Sequence, residues 1–195
     1  MYGRGIAAAL KRQRKLRNFQ AHLSALRFLD PACSSGNFLT ETYLSLRRLE
    51  NQVLRCLTDQ ISMDLVGIIQ VSIGQFYGIE INDFAVTVAK TALWIAESQL
   101  MKETEDVVHM SLDFLPLKSY ANITEGNALR LNWESVVPKH KLNYIMGNPP
   151  FVGYSLQSKA QKEDILSVYV DEKGKPYKTA GKIDYVSAGI LRQHS

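Results

Sequence analysis

The segment from Tyr144 to Phe151, which reads Tyr-Ile-Met-Gly-Asn-Pro-Pro-Phe, constrains the fold more than any other part of the chain. Three apolar residues followed by a glycine and two prolines predict a buried strand that stops abruptly in a rigid turn. Pro149 biases Asn148 away from the helical region, and neither Pro149 nor Pro150 has a backbone N–H. The turn therefore offers carbonyl acceptors and few donors beside a fixed amide side chain.

This turn has the chemistry to hold a flat, weakly nucleophilic amine such as N6 of adenine. The side-chain oxygen of Asn148 and the carbonyl of Pro149 can each accept one N–H, so that the nitrogen becomes tetrahedral as a methyl group arrives. Phe151 can stack on the base. Because an amide is not a strong base, we expect positioning and electrostatic stabilisation, with the proton lost after transfer. The alternative is a loop that only connects two elements.

The charge of the chain is unevenly distributed. The 195 residues suffice for one domain with a core, and their formal net charge is +4. Residues 1–29 contain seven basic residues and no acidic one, whereas the rest of the chain contains 16 basic and 19 acidic residues. Two cysteines, Cys33 and Cys56, give no disulfide framework, and no signal peptide or membrane-spanning apolar run is evident. The expected compartment is a reducing cytoplasm.

Apolar residues recur at mostly helical spacings in the N-terminal arm, which predicts a helix from about Ile6 to Leu26. We accordingly divide the chain into a basic N-terminal helix, residues 1–25, and a second region, residues 26–195. The run Lys-Arg-Gln-Arg-Lys in the arm could contact DNA phosphates. Alternatively, the helix is solvated and its apolar stripe packs on the domain.

A strand, a loop of small residues and a helix follow the arm. Leu26-Arg-Phe-Leu-Asp30 predicts a strand that ends in a carboxylate, and helical periodicity begins beyond Gly36. One face of that helix is predicted to carry Leu39, Tyr43, Leu46, Leu49, Val53, Leu54 and Leu57. The loop contains neither Gly-x-Gly-x-x-Gly nor Gly-Lys-Ser/Thr, the usual phosphate cradles. The charge of Asp30 instead suits a cationic ligand, such as one carrying an ammonium and a sulfonium.

Polar residues also follow the second and third predicted strands. Glu80 ends the second strand, at the position where nucleotide-binding folds bind ribose hydroxyls. Asn127 follows the third strand, where its amide can pair with an adenine edge while the N–H of Ala128 serves the ring nitrogen. Taken singly, Glu80 could be a solvent-facing acid and Asn127 a turn residue.

Four strands are predicted in all, near residues 26–30, 75–80, 121–125 and 142–147. Asn82 and Asp83 are expected to cap the helix after the second strand, which gives way to a mixed-charge linker over Lys102–Asp106. Asp59–Leu65 is interpreted as a turn or short helix, and Ile183–Leu191 as a possible helix. No further strand is predicted after residue 151.

Four motifs occur in a fixed order: Asp30-Pro-Ala-Cys-Ser-Ser-Gly-Asn-Phe-Leu39, Gly78-Ile-Glu-Ile81, Gly126-Asn-Ala-Leu129 and Gly147-Asn-Pro-Pro-Phe151. Over about residues 20–190 they resemble the successive motifs of S-adenosylmethionine-dependent N6-adenine DNA methyltransferases. The closer similarity is to the methyltransferase part of type IIG restriction-modification enzymes, which combine cleavage and methylation in one polypeptide. Four ordered motifs are more specific than any one of them. The resemblance implies an α/β fold of the Rossmann-like class I methyltransferase type, with a mostly parallel sheet flanked by helices.

The resemblance also implies roles for individual residues, with S-adenosyl-L-methionine as cofactor and no metal. The loop after the first strand surrounds the methionine part of the cofactor through Asp30, Pro31, Ala32, Gly36 and Phe38. The ribose and adenine of the cofactor are bound by Glu80, Ile81, Asn127 and Ala128. An adenine flipped out of double-stranded DNA is received by the catalytic turn of Asn148, Pro149, Pro150 and Phe151.

Two departures from the family pattern lead to further expectations. Ser34 stands where the pattern has glycine, a tight position at which a side chain costs backbone freedom or crowds the cofactor. Only four of the family's seven strands are predicted, so residues 26–195 are expected to form an incomplete, N-terminal part of the catalytic domain. The strand at 142–147 would then be an edge that invites self-association. Target-recognition and nuclease domains are expected as partners, and the chain alone is expected to methylate DNA poorly or not at all.

Three functions fit these observations. The first is the catalytic core of a DNA adenine-N6 methyltransferase in a restriction-modification system, with direct methyl transfer and no covalent enzyme intermediate. The second keeps the cofactor but methylates a protein glutamine or another planar amine. The third is an inactive fragment that retains only nucleic-acid binding through its basic arm.

Overall fold

A computed structural model describes residues 2–57, 68–112, 121–178 and 180, with side chains from residue 6 onward. Its helices are α1 (Tyr2–Ala25), α2 (Asn37–Leu57), α3 (Asp83–Val108) and α4 (Lys159–Val168). Its strands are β1 (Phe28–Asp30), β2 (Phe76–Glu80), β3 (Asn122–Glu125) and β4 (Tyr144–Ile145). Within these ranges the strands form one parallel sheet in the order β3-β2-β1-β4. The predicted α/β fold is confirmed, as are the four predicted strands.

The strand order places the carboxyl ends of β1, β2 and β4 at one edge of the sheet. The chain builds outward from β1 to β2 and β3, and then returns to place β4 on the other side of β1. In register, Asp30 lies opposite Gly78, and Leu29 lies opposite Ile145. Ligands of open α/β sheets bind outside the carboxyl ends of the strands, where the strand order reverses. The fold thus predicts a site between the ends of β1 and β4.

Aromatic rings tie the short strand β4 to the sheet. The rings of Phe28 and Phe76 stack at a centroid distance of 5.1 Å, and those of Phe28 and Tyr144 at 5.3 Å. Tyr43 of α2 meets Phe76 edge-on at 5.6 Å. Such pairs contribute about 0.5–1.5 kcal/mol each beyond their buried area. Tyr144 is nevertheless exposed on its outer side, so β4 is an edge strand and the prediction of a buried strand is wrong.

Apolar side chains cover both faces of the sheet. Helices α1, α2 and α3 contribute to one cluster, which includes Leu39, Phe76 and Leu93, and residues 128–142 pack around Leu29 and Ile79 on the other. Asn82 caps α3 as predicted, because its side chain accepts a hydrogen bond from the N–H of Ala85. No helix of the described residues is long and apolar enough to cross a membrane.

A buried polar network joins α1, α2 and α3. Glu50 accepts hydrogen bonds from Gln20 and Arg47, and Arg47 also donates to the hydroxyl of Thr104. These four side chains are almost completely buried, and their hydrogen bonds join the three helices, although Arg47 Nε has no partner among the described residues. Arg47 and Glu50 of α2 are thus buried, whereas Leu49, which the apolar periodicity placed on the buried face, is 40% exposed. The prediction for Leu49 is therefore wrong.

Helix boundaries in the described residues differ from the sequence-based prediction in two places. The predicted linker Lys102–Asp106 is helical, because buried Thr104, Val107 and Val108 continue the stripe of α3. Helix α4 was not predicted, and its capping box of Ser158 and Gln161 is the signal that marks its start. The interpretations of Asp59–Leu65 and Ile183–Leu191 concern segments that lie outside the described residues.

Helix α1 covers the predicted N-terminal helix, but most of its apolar stripe does not pack. Ile6 is 62% exposed, and Leu10 and Phe19 are exposed as well. Contact with the domain is made near the C-terminal end of the helix, through buried Gln20 and Leu23. The interpretation in which the apolar stripe packs on the domain therefore holds for Leu23 and not for Ile6, Leu10 and Phe19.

Candidate functional site

A cleft of about 430 Å³ opens at the carboxyl ends of the strands, at the point where the strand order reverses. Of the residues predicted to bind the cofactor, the cleft is lined by Pro31, Ala32, Glu80, Ile81, Asn127 and Ala128. Asn148, Pro149 and Pro150 of the predicted catalytic turn line it too. The structure thus brings together residues from all four sequence motifs.

Asp30 lies behind the wall of this cleft. The residue is 1% exposed, and Oδ1 accepts a hydrogen bond from the N–H of Ala32 at 3.0 Å. Burial is the main reason that its pKa rises to about 6; the Ala32 N–H lowers the pKa and the charge of Glu80 raises it. Asp30 therefore shapes the loop and contributes a negative field at neutral pH, and it is not among the lining residues.

Gly147 fixes the catalytic turn against Asp30. A Cβ atom at position 147 would clash with Oδ1 of Asp30 and lie 2.9 Å from its Cγ, and the φ angle of Gly147 is 151°. Asp30 is buried and has no space to retreat. Only glycine permits this approach, which couples the placement of Asn148 to the end of β1.

We expect Gly147→Ala to destabilise the domain by about 1–3 kcal/mol because the added methyl group would clash with the buried carboxyl group of Asp30. Urea unfolding measures the change, and Gly74→Ala is the matched control because its Cβ would meet only the Ser72 hydroxyl, at 3.5 Å. The double variant Gly147→Ala/Asp30→Ala should lose less free energy of unfolding than the sum of the losses in the two single variants, because the carboxyl atoms that clash with the new methyl group are absent. Strict additivity would contradict this account of the contact.

Glu80 holds the loop after β1 and keeps acceptor capacity for a ligand. Its Oε2 accepts from the N–H of Ser34 at 2.9 Å, and Oε1 accepts from the N–H of Asn82 at 3.0 Å. An ionised carboxylate has about four lone-pair sites, so further donors such as hydroxyl groups can be bound. Ser34 has a φ angle of 48°, a left-handed conformation that costs a non-glycine residue roughly 1–2 kcal/mol. The predicted cost in backbone freedom is therefore visible; crowding of the cofactor by Ser34 stays a prediction.

Asn127 and Ala128 present one acceptor and one donor at the cleft. The amide oxygen of Asn127 accepts from the N–H of Leu129 at 2.9 Å, and its Nδ2 donates to Asp164 at 2.8 Å. The oxygen retains a second lone pair. In the part of the chain that the structure describes, the N–H of Ala128 has no hydrogen-bond partner. An unpaired donor in a cleft wall suits a ligand acceptor.

The turn at Asn148 lies at the mouth of the cleft with its acceptors available. Within the described ranges, neither the Asn148 side chain nor the Pro149 carbonyl takes part in a hydrogen bond. Phe151 is 80% exposed. An exposed aromatic ring beside two unused acceptors can take up a flat, polar ring and hold its amino group.

Four predicted site residues do not line the cleft, namely Asp30, Gly36, Phe38 and Phe151, and others were missed. Gly36 adopts a φ angle of 79° and packs against Ala89, whereas Phe38 is half exposed on the first turn of α2. Trp133 and Leu129 line the cleft without having been predicted. The indole N–H of Trp133 donates to the Ala128 carbonyl at 2.8 Å, a contact that no short motif signals.

The lining fits a nucleoside cofactor that carries positive charge. No lysine or arginine is among the described lining residues, and Glu80 lines the cleft with Asp30 behind it. The volume lies within the range of small-ligand sites, and apolar Ile79, Ile81 and Trp133 offer surfaces for a flat ring. The residues present therefore fit S-adenosyl-L-methionine, whereas the absence of basic groups disfavours a phosphate-bearing ligand.

The sheet order, the acidic cleft and the Asn-Pro-Pro turn at its edge together define a Rossmann-like domain of the methyltransferase type. Over residues 6–195 the sequence matches the family described as the DNA-methyltransferase domain of MmeI. It is 41% identical over 177 residues to DNA methyltransferase A of Bacillus subtilis (strain 168), a match that covers 89% of this chain and 20% of that protein.

A solved structure of the type IIL restriction-modification enzyme MmeI in complex with DNA has the same fold. The TM-score is 0.85 at 40% sequence identity, and the match covers 93% of this chain and 24% of that chain. The chain thus spans about a fifth to a quarter of the length of these relatives. It belongs to the MmeI DNA-methyltransferase domain family. The predicted resemblance to the methyltransferase part of restriction-modification enzymes is confirmed.

Proposed function

We propose that this domain transfers a methyl group from S-adenosyl-L-methionine to N6 of an adenine flipped out of double-stranded DNA, as part of a restriction-modification enzyme. The observation that carries the proposal is the turn Asn148–Phe151. Two unpaired acceptors of this turn lie at a cleft that is lined by Glu80 and has Asp30 behind it, and the exposed ring of Phe151 follows them directly in the chain.

The cofactor would be held by the residues of the cleft wall. When bound, it supplies an electrophilic methyl group on a positively charged sulfur atom. Glu80 accepts hydrogen bonds from the ribose hydroxyls, and the loop of Pro31 and Ala32 contacts the methionine part. The side-chain oxygen of Asn127 would accept a hydrogen bond from the amino group of the cofactor's adenine. The unpaired N–H of Ala128 would donate to the neighbouring ring nitrogen. Asp30 adds a negative charge behind the loop.

The turn would act on the target base by positioning and by electrostatics. Asn148 Oδ1 and the Pro149 carbonyl accept the two N–H groups of adenine N6, which directs the nitrogen lone pair away from the turn. Phe151 stacks on the flipped base, a contact worth roughly 1–3 kcal/mol. Because an asparagine amide is not basic, the surplus proton leaves to water once the new bond to nitrogen has formed.

Double-stranded DNA is the proposed partner, and the basic helix α1 offers a surface for it. Its five charged side chains between residues 11 and 17 are all exposed: Lys11, Arg12, Arg14, Lys15 and Arg17. Lysine and arginine bind the phosphate backbone without reading sequence. Target recognition and cleavage would reside in further domains; one structural relative is a restriction-modification enzyme solved in complex with DNA.

Methyl transfer within a complete enzyme tests the proposal. The matching segment of Bacillus subtilis DNA methyltransferase A is exchanged for this chain, and the chimera is given a methyl-labelled cofactor and duplex DNA. Digestion to nucleosides should place the label in N6-methyldeoxyadenosine. Label in methylcytosine, or in protein glutamine when DNA is present, would refute the proposal. The isolated 195 residues are expected to transfer little, and efficient site-specific methylation by them would overturn that expectation.

A further inference from the structure

Asp164 links the helix after the catalytic turn to the cofactor cleft. It lies on α4 and is 3% exposed. Its Oδ2 accepts a hydrogen bond from Asn127 Nδ2 at 2.8 Å, and its Oδ1 accepts from Arg130 Nε at 2.5 Å. The two oxygens thus bind two different donors on the segment that follows β3. Removing a partner of a buried carboxylate that is paired in this way destabilises the folded state.

The Asp164 contact determines which way the Asn127 amide faces. The amide oxygen of Asn127 receives the N–H of Leu129, and the amide nitrogen faces the carboxylate of Asp164. Rotating the amide by half a turn would set two donors against each other at Leu129 and two acceptors against each other at Asp164. The N–H of Leu129 and the carboxylate of Asp164 therefore favour the same orientation of the Asn127 amide. Leu129 does so through its backbone, whereas Asp164 does so through a side chain, which a substitution can change.

We propose that Asp164 is a positioning residue that fixes the Asn127 oxygen as an acceptor in the cleft and so makes the site selective for a 6-amino purine. The inference deepens the proposed function and rests on it. Since α4 follows the catalytic turn in the chain, Asp164 also ties the target-base side of the site to the cofactor side.

Selectivity follows from the pattern of one acceptor and one donor. Adenine offers an N–H at position 6 and an acceptor at N1, which match the second lone pair of the Asn127 oxygen and the unpaired N–H of Ala128. A 6-oxo purine carries an acceptor at position 6 and a hydrogen on N1, so both contacts become mismatched. Sites that hydrogen-bond a substrate in this way reject the mismatched analogue strongly.

The test compares two probes on the purified chain by calorimetric titration, without any activity readout. One is S-adenosylhomocysteine; the other is S-inosylhomocysteine, which differs in having a 6-oxo group. The unaltered chain should prefer the adenosyl compound by roughly 100-fold or more. In Asp164→Asn this preference should fall below about tenfold, because the new amide has one oxygen for two donors. If Arg130 donates to that oxygen, the NH2 group of the substituted side chain faces Asn127 Nδ2. Two donors then face each other, and the hydrogen bond that orients the Asn127 amide is lost.

Two further variants separate positioning from general loss of structure. Glu163→Gln removes an exposed negative charge from the same helix and should leave the preference unchanged. Asp164→Asn/Arg130→Met frees the single oxygen for Asn127 and should restore much of the preference that Asp164→Asn loses. A purely structural role for Asp164 would weaken both probes alike and leave their ratio intact, which would overturn the inference.

Failure of the proposed function looks different from failure of this inference. If the unaltered chain binds neither probe, the cofactor assignment itself is wrong and the inference falls with it. If it binds both equally, Asn127 and Ala128 do not read the purine edge. If it discriminates and Asp164→Asn discriminates equally well, the cofactor site stands and the role of Asp164 is refuted.

Discussion

Replacing Asn148 by alanine should lower kcat for DNA methylation by roughly 10²–10³-fold, the usual loss when one electrostatic partner of a transition state is removed. Asn148 lines the mouth of the cleft, and its side chain forms no hydrogen bond with any described residue. Alanine therefore breaks no contact of the folded domain. We expect cofactor affinity and the free energy of unfolding to stay nearly unchanged.

The rate is measured as single-turnover transfer of labelled methyl in the chimeric enzyme described above. Gln99→Ala is the matched control, because it removes an exposed amide of α3 at no cost to the cleft. Gln99→Ala should retain full activity. Equal rates for Asn148→Ala and the unaltered enzyme would show that the turn does not hold the reacting amine.

Replacing Asp30 by asparagine should stabilise the folded domain at pH 7.5 by about 3 kcal/mol. Burial, the main cause, raises the pKa of Asp30 from 3.8 to about 6, so the ionised carboxylate is disfavoured in the folded state. Asparagine is neutral at every pH, has the same shape and can still accept from Ala32. The expected gain corresponds to a pKa difference of about two units at roughly 1.4 kcal/mol each.

The sign of the pH dependence is a second check on Asp30. Well below pH 3.8 the carboxyl group is protonated in both the folded and the unfolded chain, and near pH 4 only the unfolded chain is partly ionised, so Asp30→Asn should then add little stability. As the pH rises from about 4 through about 6, the unfolded chain releases the proton before the folded chain does, and the stability contributed by protonated Asp30 is lost. Urea unfolding at about pH 4 and pH 7.5 measures the difference. A variant that gains no stability at the higher pH would contradict it.

The same substitution should weaken binding of a cationic cofactor by roughly tenfold at low salt. A single charge several ångströms from the ligand, behind the wall of a cleft, contributes on the order of 1–2 kcal/mol. On this proposal, Asp30 would strengthen cofactor binding at the expense of the stability of the folded domain. Affinity for the cofactor should also decline below about pH 6, where Asp30 takes up its proton.

The cleft could be anticipated from the sequence because parallel strands deliver their ends to one edge. An acid after β1, another after β2 and an Asn-Pro-Pro turn after β4 are local signals, and the strand order brings them to the same cleft. Local sequence signals do not reveal how deeply a side chain is buried. The sequence placed Asp30 at the ligand, whereas Gly147 and the loop at Ala32 bury it behind the cleft wall.

Other features depend on contacts between distant parts of the chain. Trp133 joins the cleft through its bond to Ala128, and Asp164 reaches Asn127 across 37 positions. No periodicity predicts such pairs. Leu49 shows the reverse case, because apolar spacing predicted it to be buried and it is exposed, while Glu50 and Arg47 beside it are buried and bonded to each other. Apolar periodicity identifies a helix reliably, but it does not identify polar side chains that are buried because they bond to one another.

The most direct test of the central claim is a calorimetric titration of the chain with S-adenosyl-L-methionine. It is run beside Glu80→Ala and Glu125→Ala, which remove acids that lie opposite each other at the ends of β2 and β3. Glu80 lines the cleft and Glu125 does not. We predict saturable binding that Glu80→Ala weakens at least about tenfold and Glu125→Ala leaves intact. Absence of saturable binding, or equal effects of the two substitutions, would contradict a cofactor site at this edge of the sheet.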